Sequence, residues 1–298
     1  MCGIVGLYLK NPELRTRLGS LFAPMLTEMT ERGPDSAGLA VYRDQAPTGR
    51  VRVTVRAPGV DWHATGERAS SELGTPVTVT PMATHAVLEA AVDGEVLRDW
   101  AQAGDPPLRV TSSGTTLEIY KEIGLPAAVL ERFGVPQMSG THMIGHTRMA
   151  TESAVTTEGA HPFNTGDDLC LVHNGSLSNH HRLRDWLREH QGLKFQTEND
   201  SEVAAGYLTW RLMQGATIAE ALEAGLRDLD GFYTFAVGTR DGFSVLRDPI
   251  ACKPAVMAET DDWVAMASEF RALARLPSVD DAVVWEPRPG QVYSWGRA

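Results

Sequence analysis

Met1-Cys2-Gly3-Ile4-Val5-Gly6-Leu7-Tyr8-Leu9 opens the chain, and the fold turns on how Cys2 is read. Ile, Val, Leu and Tyr at this density predict a buried strand from Cys2 to Leu9. If Met1 is removed, Cys2 carries a thiol and a free α-amino group on one residue. An α-amino group titrates at about 7.7–8.0 and a free thiol at about 8.5. The amine is then partly neutral near physiological pH and able to take the thiol proton, which makes a nucleophile with its own base. Position alone better suits a small buried apolar residue that starts a strand.

The rest of the chain bounds the alternatives. Its 298 residues suffice for one large domain or two smaller ones. With 43% hydrophobic and 22% charged residues the composition is that of a globular protein. A net charge of −11, from 38 acids against 27 bases, argues against nucleic acid as a partner. The absence of an apolar run of about 18 residues or of a charged-then-apolar leader leads to the expectation of a cytoplasmic protein with no membrane span. Three scattered cysteines, Cys2, Cys170 and Cys252, suit a reducing compartment better than a disulfide framework. No HExxH, zinc spacing, P-loop or GxGxxG occurs, so no metal is expected. His142 and His146 lie four apart in a predicted strand and read as core or site-edge residues.

Periodicity predicts a helix over 15–32, strands near 37–42, 143–148 and 169–172, helices over 182–190, 201–214 and 218–226, and short strands from 232 to 295. Residues 45–138 alternate β-like runs with helices expected near 84–91 and 122–133, and read as an α/β subdomain inserted in a domain spanning 2–298. Many strands with several helices give an α+β class built in layers.

Four segments look like loops at strand ends that carry chemistry: Cys2-Gly3, Gly145 to Thr151, Val172 to Leu177 and Thr197 to Glu202. A thiolate attacking an amide makes an oxyanion, which needs donors already in place. Asn174-Gly175 offers a side-chain amide and an approachable backbone N–H, or is simply a turn. Arg148 has the fork for a carboxylate, or serves a structural ion pair. Asp200 can hold an ammonium, or cap the helix that starts near Ser201. Arg148 and Asp200 together would recognise a zwitterionic amino acid, and with an amide-cleaving thiol the natural substrate is glutamine or asparagine.

Taken in order, these motifs resemble the class II, N-terminal nucleophile, glutamine amidotransferases. The matching stretches are CGIVG (2–6), RGPDSAG (32–38), GHTRMAT (145–151), HPF (161–163), VHNGSLSN (172–179), ENDSEV (198–203), LDGFYTFAV (229–237), RDPIACKP (247–254), ASEFRAL (267–273) and EPRPGQV (286–292). The resemblance implies a four-layer α/β/β/α sandwich of two stacked sheets. It implies Cys2 as nucleophile, Asn174 with the Gly175 N–H as oxyanion hole, Arg148 on the substrate carboxylate, Asp200 on its ammonium, Thr151 lining the pocket and Arg32 in a loop near it. Met149 and Glu152 stand where many relatives have Trp and His. Glu152 contacts the substrate ammonium or caps a strand end.

Because the motifs run almost to residue 298, the acceptor chemistry is expected on separate chains. The resemblance is nearest to the amidotransferase-like subunit of N-methylglutamate synthase and to glutamate synthase-like enzymes. It implies synthase subunits in a hetero-oligomer, with FMN and an iron–sulfur cluster on a partner and no cofactor in this chain. The substrate would be glutamine or an N-methylated analogue. A stand-alone glutaminase or amidase, and a non-catalytic scaffold of a synthase complex, are the competing readings. The insertion is a docking surface or a family embellishment.

Overall fold

A computed structural model describes residues 2–150 and 155–296. The strand Gly3–Leu9 is buried on both faces. Val5, Leu7 and Leu9 lie on one side with Leu18, Phe22, Met25 and Leu26 of the helix Leu18–Thr27, and Ile4 lies on the other with Val172, Phe243 and Val245. Successive side chains of a strand point to opposite faces, so this strand must be covered twice.

The cover on the first side is helical and on the second a whole sheet. Gly3–Leu9 is the fourth strand of a seven-stranded sheet, ordered Val283–Trp285, Val256–Glu259, Trp263–Ala267, Gly3–Leu9, His142–Arg148, Ser36–Tyr42, Leu117–Ile123. A five-stranded sheet, Val292–Gly296, Gly242–Arg247, Gly231–Thr239, Leu169–Leu177, Phe163–Gly166, stacks on it. Every pairing in both sheets is antiparallel. Ile4, Ala40, Ile144 and Met266 of the first sheet pack on Cys170, Val172, Ala236 and Phe243 of the second. A side chain on Gly6 would bring its Cβ within 2.7 Å of the Phe243 ring, so Gly6 sets how closely the sheets approach. Beyond the second sheet, helices His180–Gln191, Asp200–Met213 and Ile218–Asp228 bury Leu187, Val203, Leu208 and Leu222. The layers run helix, sheet, sheet, helix, the sandwich that the resemblance implied.

Within 45–138 the structure divides what the sequence grouped together. Val51–Arg56, Thr78–Met82, His85–Ala90 and Arg109–Gly114 form a third sheet, with helices Trp62–Leu73 and Gly94–Ala103 and a separate core of Val53, Val55, Leu88, Leu97 and Leu108. Residues 117–138 instead join the main body: Leu117–Ile123 pairs with Ser36–Tyr42, and Val129 and Leu130 of helix Pro126–Arg132 pack in the first helical layer. The junction is pinned by Asp168, whose carboxylate accepts the N–H groups of Thr115, Thr116 and Leu117 at 2.8–3.0 Å.

Other expectations are corrected here. Residues 84–91 are not helical: His85–Ala90 is an inner strand, buried on both faces and so without alternation. Helix Trp62–Leu73 lies where no helix was expected. It is set by Asp61, which caps His63 and Ala64 N–H, and ends at left-handed Gly74. The helix expected over 15–32 is a 3₁₀ turn, Pro12–Arg17, then Leu18–Thr27, then a second turn, Thr30–Arg32.

Candidate active site

The register of the first sheet places Cys2. Gly3 pairs with Thr147, so Cys2 lies level with Arg148 at the end of the neighbouring strand. A Cβ on Gly3 would fall 2.7 Å from both Met29 Cβ and Thr147 Oγ1, so only glycine lets the strand start here. The Cys2 carbonyl accepts two bonds, from Arg32 Nε at 3.0 Å and from Asn174 Nδ2 at 3.3 Å. Arg32 is itself buried and pairs with Glu269 at 2.8 Å, which also meets Arg271 at 2.8 Å. Cys2 is half-buried.

Asn174 comes from the second sheet. It and Gly175 lie inside the strand Leu169–Leu177, opposite Thr234 and Tyr233, and not in a turn after the strand as expected. The local signal was misleading because Gly175 holds a φ of 153°, which breaks the regular backbone without ending the pairing. A Cβ there would point at the Phe232 carbonyl, so glycine is required.

Two residues on, the Leu177 N–H donates to Asp200 Oδ2 at 2.9 Å. Asp200 is the first residue of its helix, and the cap is Asn199, whose side chain accepts the Ser201 N–H at 2.9 Å, so Asp200 is not the N-cap. Burial pushes the Asp200 carboxyl up, but His173, whose Nδ1 is 3.7 Å away, together with the Leu177 N–H, outweighs it and holds the pKa at about 2. Asp200 is therefore an anion at neutral pH.

Arg148 is 8% exposed, and its Nη1 lies beside Gly159, where a Cβ would sit 3.0 Å away. Thr151 and Glu152 lie outside the described residues.

Of the histidines behind these groups, the sequence points to His146, as a core or site-edge residue, but not to His161 or His173. Ser201 Oγ lies 2.7 Å from His161 Nε2 and 2.9 Å from His173 Nδ1. The rings of His161 and His146 stack at 4.0 Å, and His146 Nε2 donates to the His173 carbonyl at 3.0 Å. Burial drives the pKa of His146 down to about 3 and that of His161 well below its ordinary value, so both rings are neutral. The signal was in plain view: each histidine adjoins a motif residue, in HTR, HPF and HNG. His142 stacks on Tyr42 at 3.9 Å as a core residue. Among the described residues, no group of three or more His, Cys, Asp or Glu side chains is arranged to hold a metal ion, and no helix is long and apolar enough to cross a membrane.

A half-buried thiol, an amide donor crossing beside it, a buried guanidinium level with it and a fixed carboxylate form a set suited to acyl transfer on an amino acid. Comparison with known proteins bears on that chemistry. A model of the glutamine amidotransferase domain matches residues 146–275. Over 299 residues the chain is 55% identical to the glutamine amidotransferase-like protein GlxB of Rhizobium meliloti (strain 1021), covering 99% of this chain and 98% of that one.

The chain belongs to the glutamine amidotransferase family.

The amidotransferase is also 31% identical over 185 residues to an amidophosphoribosyltransferase of Methanocaldococcus jannaschii, across 61% of this chain and 38% of that one. Its fold matches the glutamine phosphoribosylpyrophosphate amidotransferase of B. subtilis with a TM-score of 0.63 at 21% identity, over 99% of this chain and 47% of that one. That likeness is one of fold: the helix, sheet, sheet, helix sandwich is shared with that amidotransferase. Membership of the family supports a glutaminase-type role in general.

Proposed function

We propose that the chain hydrolyses the side-chain amide of glutamine through a thioester on Cys2 and hands the released ammonia to a partner synthase. The observation that carries this reading is the meeting at Cys2 of both sheets: Asn174 reaches its carbonyl, and the same strand binds Asp200 through Leu177.

With Met1 removed, the neutral Cys2 amine takes the Sγ proton, directly or through a water. The thiolate attacks the amide carbon, and the oxygen that gains charge is received by Asn174 Nδ2 and the Gly175 N–H. The C–N bond breaks as the Cys2 ammonium returns its proton to nitrogen, so ammonia leaves and a γ-glutamyl thioester remains. Water then adds with the amine as base, the C–S bond breaks and glutamate departs. Arg148 grips the substrate carboxylate and Asp200 its ammonium, with Arg32 near them. Each step is an acyl transfer, so electrons balance without an oxidant or reductant.

The partner is, in this reading, a synthase of the N-methylglutamate synthase or glutamate synthase type that carries FMN and an iron–sulfur cluster. The resemblance at GHTRMATES and VHNGSLSN supports it. Glutamate release from glutamine by the purified chain, abolished in Cys2→Ala, tests the first half. Mass spectrometry that finds Met1 on active protein would sink the mechanism. Purification of the native complex, with a flavin assay and measurement of methylamine-dependent product, tests the second half. A native complex without a flavoprotein overturns that choice of partner.

A further inference from the structure

The inserted sheet reaches the back of the candidate substrate site through one ionic cluster built around the buried Glu122. Arg56, the last residue of strand Val51–Arg56, extends its guanidinium out of the insertion. Its Nη2 lies 3.5 Å from Glu122 Oε1 and its Nη1 3.3 Å from Glu158 Oε1. Glu122 is 3% exposed and accepts bonds from the hydroxyls of Thr157 and Thr84. Thr84 lies at the mouth of the insertion's inner strand, so two residues of the insertion, Arg56 and Thr84, hold one carboxylate of the main sheet.

What they hold matters for the site. Thr157 and Glu158 lead directly into Gly159, against the Arg148 guanidinium, and into His161, stacked on His146. From the main sheet, Lys121 Nζ donates to the carbonyls of Glu158, Ala160 and Pro162 at 3.4, 2.8 and 3.3 Å. The segment 157–162 is thus bonded by the main sheet at its backbone, through Lys121, and at the Thr157 hydroxyl, through Glu122, and by the insertion at the Glu158 side chain, through Arg56. Charge-assisted bonds to the buried Glu122 set position closely, because a misplaced partner leaves a desolvated charge unpaired.

We infer that the insertion is part of the substrate clamp: Arg56 is a positioning residue that, through Glu122, Thr157 and Glu158, holds Gly159 against Arg148 and so fixes the fork that grips the α-carboxylate. The inference rests on the proposed glutaminase reading, in which Arg148 is that fork. Arg56 touches neither substrate nor thiol. Its loss weakens recognition of the amino-acid end and leaves the chemistry at the amide unchanged.

The experiment uses the full chain and two reagents for Cys2. One is a diazoketone analogue of glutamine, which must occupy the clamp to react. The other is iodoacetamide, which has no amino-acid end. For Arg56→Ala, the half-saturating analogue concentration and the KM for glutamine should rise about tenfold, with kcat, the maximal labelling rate and the iodoacetamide rate within about twofold of wild type. Arg56→Lys should recover part of the loss, and Glu158→Gln should show a smaller rise of the same kind. A fall in kcat at unchanged KM overturns the inference, as does slowed iodoacetamide labelling or an Arg56→Ala chain with unaltered constants. Wild-type protein that the analogue does not label at Cys2 overturns the glutaminase reading itself and the inference with it. An Arg56→Ala chain that fails to fold is replaced by Arg56→Lys and Glu158→Gln, and unaltered constants in both overturn the inference.

Discussion

Replacing Gly175 by alanine tests the geometry on which the site depends. The residue holds a φ of 153°, where L side chains are rarely found, and its new Cβ would lie 2.7 Å from Tyr233 Cα and 2.8 Å from His173 Nε2. Carbon atoms in contact prefer about 3.5–4.0 Å, so the strand Leu169–Leu177 must shift from Gly231–Thr239 by about 1 Å. Backbone strain of about 1–3 kcal/mol and overpacking of similar size give an expected destabilisation of about 2–6 kcal/mol. The same shift moves the Gly175 N–H and Asn174 away from Cys2, and a displacement on that scale costs about a hundredfold in kcat. Urea denaturation measures the first quantity and glutamate release the second. A Gly175→Ala protein within about 0.5 kcal/mol of wild type in urea, a difference normally reserved for surface changes, would refute the backbone argument.

Asn174→Ala removes a donor without a new clash, so kcat should fall about 10²- to 10³-fold while stability changes by about 1 kcal/mol; equal kcat would remove Asn174 from the oxyanion hole. Asp200→Asn should raise the KM for glutamine about ten- to a hundredfold, and a KM within twofold of wild type would show that the ammonium is held elsewhere. Burial depresses His85, His142 and His146 to about 3 and His161 well below its usual value, so the unfolded chain takes up protons first as pH falls. Their contribution is complete above about pH 6.5 and is lost below it, by about 1.4 kcal/mol per histidine at pH 5.5. Urea midpoints between pH 5 and 8 should show this slope, flattened in His85→Leu, and a flat wild-type profile would contradict it.

The first strand was legible because its apolar run is short and dense, and the sandwich followed from the family resemblance that the ordered motifs carry, the pattern itself giving only a layered α+β class. The insertion was read less well. His85–Ala90 contains good helix formers and is buried on both faces, so nothing in its pattern distinguishes an inner strand from a helix. Leu117–Ile123 comes after the insertion in sequence yet pairs with Ser36–Tyr42, a long-range choice that local pattern does not carry. At the site, Cys2, Arg148, Asn174 and Asp200 stood out because each residue type suits one task. Their supports did not: Ser201, His161 and His173 meet only after three elements have packed, and Glu269 reaches Arg32 across 237 positions.

The two bonds from Arg32 and Asn174 both end on the carbonyl oxygen of Cys2. A grip on the oxygen is indifferent to what is attached to the nitrogen of the same residue. In the proposed mechanism, therefore, an aminopeptidase working after folding would unmask the amine without loosening the thiol's seat. Assembly and activation become separate events, and the timing of activity passes from the fold to the enzyme that trims it.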